Sequence, residues 1–548
     1  MSASLWMVGT ILFLLAGFAP NGRAAPSATD PGQVPPLFAP STRCVACHNG
    51  LTAPSGRDVS IGYSWEASMM ANSSRDPYWQ AAVRRETLDH PEARAHIQDE
   101  CAACHMPMAR YQAHVEGREG PVFSLAPALA KQTPMAVWAA DGVSCTLCHQ
   151  IQAENLGTPE SFTAGFMINT EKAPGTRSAF GPFEVDAGRT RVMRSAGRFA
   201  PTEGLHLQQS ALCASCHTLY TQTLGPDGDV IGRLPEQVPY LEWRHSDYAR
   251  EDAQAQSCQS CHMPLINDPM PITSVLGISR DAFSRHAFRG GNFFMLNMLR
   301  LYATPLAVQA LPQNLSRAVR ETEANLTTDA ATLTIDPRRR SGEQLSIDVR
   351  VGNLTGHKLP TAYPSRRVWI QLTVHDGRDR RIFESGALNP DGSIAGNDND
   401  RDPSLYEPHY ARIDQEAKVQ IYEAIMVTPW DRVTTGLLSA IRFIKDNRML
   451  PSGFHKDSVD ADVAVRGRAG KDDDFQGGGD RVQYTIPARD ADGPFHITAR
   501  LWYQPIAYRW AHNLGRHPSP ETDRFVTYYT AMANDSARLL TQDSVSIE

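Results

Sequence analysis

All ten cysteines of this chain fall in five copies of one pattern, Cys-x-x-Cys-His. The copies are Cys44/Cys47/His48, Cys101/Cys104/His105, Cys145/Cys148/His149, Cys213/Cys216/His217 and Cys258/Cys261/His262. Two thiols three residues apart can add to the two vinyl groups of one porphyrin, and the histidine that follows lies under the iron as an axial ligand. The pattern therefore predicts five covalently attached c-type haems. Other cysteine chemistries fit less well. A zinc ribbon pairs its Cys-x-x-Cys knuckles about 15–20 residues apart, whereas these motifs begin 44 to 68 residues apart. A disulfide framework needs no histidine after each second cysteine, and a thioredoxin-like motif occurs once, in a βαβ setting.

Each iron then has a second face to close. Thirteen of the eighteen histidines lie outside the motifs. Six fall within the motif-bearing region 43–303, at His90, His96, His114, His206, His245 and His286, enough for an all-bis-histidine cytochrome. His245 sits in the aromatic stretch Tyr240-Leu-Glu-Trp-Arg-His-Ser, which can wall a haem. His286 sits in Arg285-His-Ala-Phe-Arg-Gly-Gly-Asn, where the glycines allow close backbone approach. His114 follows the second motif by nine residues and His206 precedes the fourth by seven. His90 and His96, six apart on one short helix, face different ways, so at most one can serve the nearest haem. His357, in Asn353-Leu-Thr-Gly-His-Lys-Leu-Pro-Thr, leaves a strong strand on a loop that either reaches an iron or simply turns. The distal candidates are thus His245, His286, His114, His206 and His357. Methionine can replace histidine and raise the potential; Met69 and Met70 are the candidates, against an ordinary core role.

Asp398, Asp400 and Asp402 alternate as at the opening of a calcium loop. The EF-hand pattern then breaks, with Pro403 at the glycine position and His409 at the terminal glutamate. Calcium and a solvated acidic turn both remain open from sequence.

Positioning these residues falls to a chain of 548 residues, ordinary in composition, with a net charge of −7. That balance argues against a nucleic-acid partner and permits docking to a basic redox partner. Leu5 to Phe18 is apolar but short for a membrane span, and small residues run to Ala25, so residues 1–25 read as a signal peptide. An uncleaved segment would instead associate the protein with a membrane. Either reading places the protein outside the bacterial cytoplasm, periplasmic or secreted, where haem attachment occurs.

Residues 26–42 read as a flexible leader and residues 43–303 as the pentahaem cytochrome region. In that region Asp76-Pro77 opens a helix, with Asp at the N-cap and Pro at the first position. Long aperiodic stretches lie between Gln150 and Leu205 and after Pro264. Such loops would be unusual in an ordinary domain but suit a polypeptide that wraps haems. A helical connector spans 304–327. From 328 to 510 the apolar period becomes two: Leu345, Ile347, Val349 and Val351, then Val368, Ile370, Leu372 and Val374, then Phe495, Ile497, Ala499, Leu501 and Tyr503. This predicts an antiparallel β-sandwich-like domain. Residues 511–548 read as a C-terminal helical segment folding back onto the first half. The fold class is α+β.

Trp65-Glu-Ala-Ser-Met-Met-Ala-Asn-Ser-Ser-Arg-Asp-Pro-Tyr-Trp, Cys101-Ala-Ala-Cys-His-Met-Pro-Met and Ser257-Cys-Gln-Ser-Cys-His-Met-Pro give the first half its family likeness. It resembles multihaem cytochromes c with a domain of the ammonia-oxidiser tetrahaem type. Gly356-His-Lys-Leu-Pro-Thr and Arg366-Arg-Val-Trp resemble the β-rich C-terminal region of such exported cytochromes. The resemblance implies bis-histidine haems packed for electron transfer, in a family that also contains catalysts. An electron carrier is thus the first expectation, serving redox partner proteins or an extracellular acceptor, with oligomer or filament formation open. The alternative is an oxidoreductase acting on a small nitrogen or sulfur compound at one five-coordinate haem. Its usual marker in pentahaem nitrite reductases, a lysine in place of one motif histidine, is missing here.

Overall fold

The Asp76 carboxylate accepts hydrogen bonds from the backbone N–H groups of Tyr78 and Trp79, and Pro77 occupies the first helical position, so the helix Pro77–Asp89 starts where its capping residues dictate. In the computed structural model, which describes residues 35–126, 133–341 and 344–548, this helix lies beside Arg94–His105, whose last turn carries the second motif. The other four motifs lie on helices of four or five residues or at their ends: Thr42–Val45, Cys145–Cys148, Ser210–Ala214 and Cys258–His262. A helical turn brings residues three apart onto one face, so each motif presents both thiols to the same side. The expected signal segment 1–25 and the leader to residue 34 lie outside the described residues.

The remainder of the predicted leader is not free. Leu37 and Phe38 are buried in a cluster with Trp79 and Trp138, because an apolar pair beside Pro35-Pro36 has somewhere dry to go. The connector differs too. Its helix runs Pro312–Asp329, while residues 304–311 turn through Ala307 at φ 53°.

The strand region obeys the period of two. In Gln344–Asn353, Leu345, Ile347, Val349 and Val351 are buried and pair in register with Ile486, Tyr484, Val482 and Asp480 of Gly479–Pro487. These strands, with Ala331–Ser341 and Arg412–Ile413, make one four-stranded sheet. The second sheet centres on Arg367–His375, flanked by Ile421–Val427 and Phe495–Gln504. Its inner face (Val368, Ile370, Leu372, Val374) joins the core shared with the first sheet. Its outer face packs Trp369 against Ile394, Val419 and Ile421.

The C-terminal segment corrects the sequence reading in one respect. Helices Tyr508–Leu514 and Pro520–Met532 are present, and the second folds back onto Pro77–Asp89 through Phe525 against Tyr78 and an Arg84–Glu521 ion pair of 2.8 Å. Residues Arg538–Ile547, however, form a strand on Phe495–Gln504. Leu540 is buried there, and cross-strand partners outweigh the helical pattern. Residues 36–548 pack as one compact unit, so the sequence divisions are regions of a single body. Among the described residues no helix is long and apolar enough to cross a membrane.

Candidate functional site

The five motifs converge on one connected cavity of about 1950 Å³. A pocket for a single small molecule occupies about 300–1,000 Å³, so this one is sized for several large groups. Its walls include apolar side chains that are otherwise conspicuously exposed, among them Leu265, Val275, Leu276 and Ile278. As walls for bound apolar groups their placement makes sense.

Hydrogen bonding prepares the motif histidines for a metal. The Nδ1–H of His48 donates to Ile272 O (2.8 Å), that of His105 to Ser73 O (3.1 Å), that of His149 to Phe180 O (2.5 Å), and that of His262 to Arg289 O. A carbonyl can only accept, so Nδ1 carries the proton and Nε2 keeps its lone pair. Burial pushes His105 and His217 down to about 4 and lowers His149 and His262 as well. These last four imidazoles are therefore neutral, the ligating form. Trp79 lies flat against the His105 ring, with centroids 4.4 Å apart, and holds its orientation.

Two further histidines enter the cavity with the same signature. His286 donates Nδ1–H to Ser284 O (3.2 Å) and His357 to Lys358 O (2.9 Å). Burial, then the neighbouring imidazole, pushes them to about 3 and about 4. Each faces a motif histidine. The His149 and His286 ring centroids are 6.2 Å apart with planes 16° from parallel; for His262 and His357 the values are 6.2 Å and 18°. Two metal–nitrogen bonds of about 2 Å, plus roughly 1 Å from each nitrogen to its ring centre, total about 6 Å. Each gap fits one metal ion held by two imidazoles.

The other predicted distal residues are not brought to the cavity. His114 bonds through Nε2 to Asp99 (2.7 Å), and His206 through Nε2 to Ile151 O (2.9 Å). The Nε2 of His245 lies 3.6 Å from an Asp460 carboxylate oxygen, against Phe454. His90 faces Ser439, and His96 faces Gln222 and Glu100. Each directs to a protein partner the nitrogen that a ligand would offer a metal. Among the described residues, then, seven histidines line the cavity: the five of the motifs, His286 and His357. His48, His105 and His217 have no such counterpart, although Met69, Met70, Met193, Met263 and Met295 line the same walls.

The motifs touch in a definite pattern. Cys44 lies beside Cys145, and the backbone N–H groups of Ser41 and Ala39, just before the first motif, donate to Asp141 and Thr146 at the third. Beyond the third motif, Thr163 and Ala164 donate to Thr218 O and Ser215 O at the fourth. Cys216 lies beside Cys104 of the second, and Cys213 beside Cys258 of the fifth, whose backbone N–H donates to Ser210 Oγ (3.1 Å). The fourth motif thus adjoins the second, third and fifth, while the first adjoins the third.

The acidic run folds as a helical turn, Asp398–Arg401, capped by Asn397. Asp398 pairs with Arg401, Asp400 with buried Arg367 (2.9 Å) and Ile394 N–H, and Asp402 accepts from Ser404 N–H. The three carboxylates thus take separate protein partners and do not gather at one point. One other cluster, His409 with Asp472 and Asp480, brings ligand-type atoms within 4.8 Å. Gln420 and Asn447 turn their oxygens to the N–H groups of Tyr410 and Glu423, so their amide nitrogens donate to His409 Nδ1 (2.8 and 3.0 Å). Nε2 therefore carries the hydrogen, given to Asp472 (3.0 Å), and has no lone pair for a metal.

No family model matches the sequence, and no curated protein matches it. A solved structure, the penta-heme cytochrome c552 from Thermochromatium tepidum, is similar to this chain with a TM-score of 0.51 and 15% identity, covering 94% of this chain and 100% of that one. The fold is of the multihaem cytochrome c type.

Proposed function

We propose that this protein is an exported pentahaem c-type cytochrome that transfers electrons. The observation that carries the proposal is the pair of facing imidazoles, His149–His286 and His262–His357, each spaced for one iron at the end of a Cys-x-x-Cys-His motif. Haem attached there supplies reversible one-electron exchange. The chain's own residues hold the axial imidazoles in the correct tautomer, exclude water with apolar walls and set neighbouring motifs in contact. That contact pattern supports a relay from the first motif through the third to the fourth, which opens to both the second and the fifth. Intact-mass analysis of the exported protein, with electron paramagnetic resonance of the oxidised form, tests the reading. The expectation is five haem equivalents and at least two low-spin signals of the kind near-parallel imidazoles give. Fewer than five haems, or no bis-imidazole signal, would overturn it.

A second reading has its own observation: among the described residues His48, His105 and His217 face no second histidine. If methionine does not close all three irons, one can bind a small nitrogen or sulfur compound. Carbon monoxide added to the reduced protein separates the cases. Binding to one or more haems favours the oxidoreductase, and an unchanged Soret band favours the carrier alone.

A further inference from the structure

Buried between the motif region and the strand region is a group of four charges that the proposed chemistry does not use. Glu242, on the helix Pro239–Arg244, is fully buried. Its Oε2 accepts from the backbone N–H of Lys358 (3.1 Å) and from Thr361 Oγ1 (2.5 Å), and its Oε1 lies 2.9 Å from Arg448 Nη1. Lys358 Nζ, also fully buried, reaches Asp446 (2.7 Å), and Arg448 grips both oxygens of Asp446 (2.9 and 2.8 Å). Burial alone would raise the Asp446 carboxyl; Arg448 and Lys358 outweigh it and hold Asp446 well below the usual range. Two cations and two anions close the group with no net charge, the arrangement that makes buried ions tolerable.

What this group holds is the loop bearing His357. Three of that loop's anchors, Asn353 Nδ2 and Thr355 Oγ1 to His357 O (2.8 and 2.9 Å) and Nδ1 to Lys358 O, are local. Glu242 is different: it belongs to the helix packed on Ser210–Ala214, which carries Cys213. It therefore ties the loop to the motif region. Tyr248, on the same side, donates to Leu354 O (3.1 Å).

We infer that Glu242 is a positioning residue that seats His357 opposite His262, so that the axial site of the fifth motif is assembled from both regions by a buried ionic latch. The inference rests on the reading of His357 as an iron ligand. Without its carboxylate charge, Lys358, Arg448 and Asp446 keep a net positive charge in a dry site, and the loop loses its fixed contact with the motif region.

Three variants of the full-length holoprotein test it by spin state. His357→Ala should convert one haem from low to high spin while the mass still shows it attached through Cys258 and Cys261. Glu242→Gln should convert the same haem in part, and added imidazole should return it to low spin. Should Glu242→Gln fail to accumulate, Thr361→Val removes only one of the contacts to Glu242 and should give a smaller high-spin fraction of that haem. If His357→Ala leaves every haem low-spin, the ligand assignment itself fails. If His357→Ala converts a haem but neither Glu242→Gln nor Thr361→Val alters the spectrum, the ligand stands and the latch is refuted.

Discussion

Along Gln344–Asn353 the inward side chains Leu345, Ile347 and Val349 are 0% exposed. Beyond the fifth motif, Leu265 and Leu276 keep 54% and 62% of their surface open while lining the cavity. The two regions answer the same requirement, a dry interior, from different sources. Strands of alternating pattern meet their own kind across two sheets, and apolar area removed from water stabilises them directly. The motif region sets short helices and loops around a space that its own side chains do not fill. Its own apolar cluster around Trp79 and Trp138 leaves that space open, and the proposed haems would fill it. This explains why the strand region carries no cysteine and why aperiodic segments such as 150–205 occur where ordinary packing would not sustain them.

The sharpest way to break this comparison is to withhold haem. Expressed where haem is not attached, the chain should lose protease resistance across residues 43–303 and keep a resistant fragment from the strand region. Mass spectrometry of a limited digest reads the outcome, and uniform resistance along the chain would refute the contrast. Next in size, Trp369→Ala should cost about 3–5 kcal/mol through the cavity left behind, with the Soret band unchanged, as measured by denaturant unfolding. The closing strand sharpens the boundary. A fragment of residues 328–510 leaves Phe495–Gln504 without its partner Arg538–Ile547, so it should show weaker strand-type circular dichroism and more aggregation than 328–548. The smallest effect belongs to His245→Ala. Its ring faces Asp460 at the surface, and loss of such a pair costs about 0–1 kcal/mol, with no change in any haem's spin state or potential. A raised potential in that variant would return His245 to the list of ligands.

Cysteine spacing made the five motifs that line the cavity legible, and the period of two made the sheets legible, because both are local patterns. The histidines that face the motif histidines were not local. His114 and His206 lie near motifs in sequence, yet each commits Nε2 to Asp99 or Ile151, a choice fixed by tertiary contacts. His357 lies 95 residues beyond its partner His262 and was visible only as a loop histidine of uncertain reach. Counting spare histidines suggested that every iron could be closed, but a count carries no direction. What separates the two cavity-lining spare histidines from the others named is which ring nitrogen turns to a protein partner. The final strand, Arg538–Ile547, was missed because a helix precedes it and polar Thr541 and Asp543 occupy two of its less exposed positions, which weakens the apolar alternation.

The pair His262–His357 draws one imidazole from each region, and that has a thermodynamic corollary. A metal centre held from two sides is a cross-link, so its occupancy and the docking of the two regions are linked by mass action. Ligation at this iron should favour the docked arrangement by the same factor by which docking favours ligation. Of the two facing pairs, this one would act as the clasp between regions, and weakening it would loosen the strand region long before any thioether to Cys258 or Cys261 was broken.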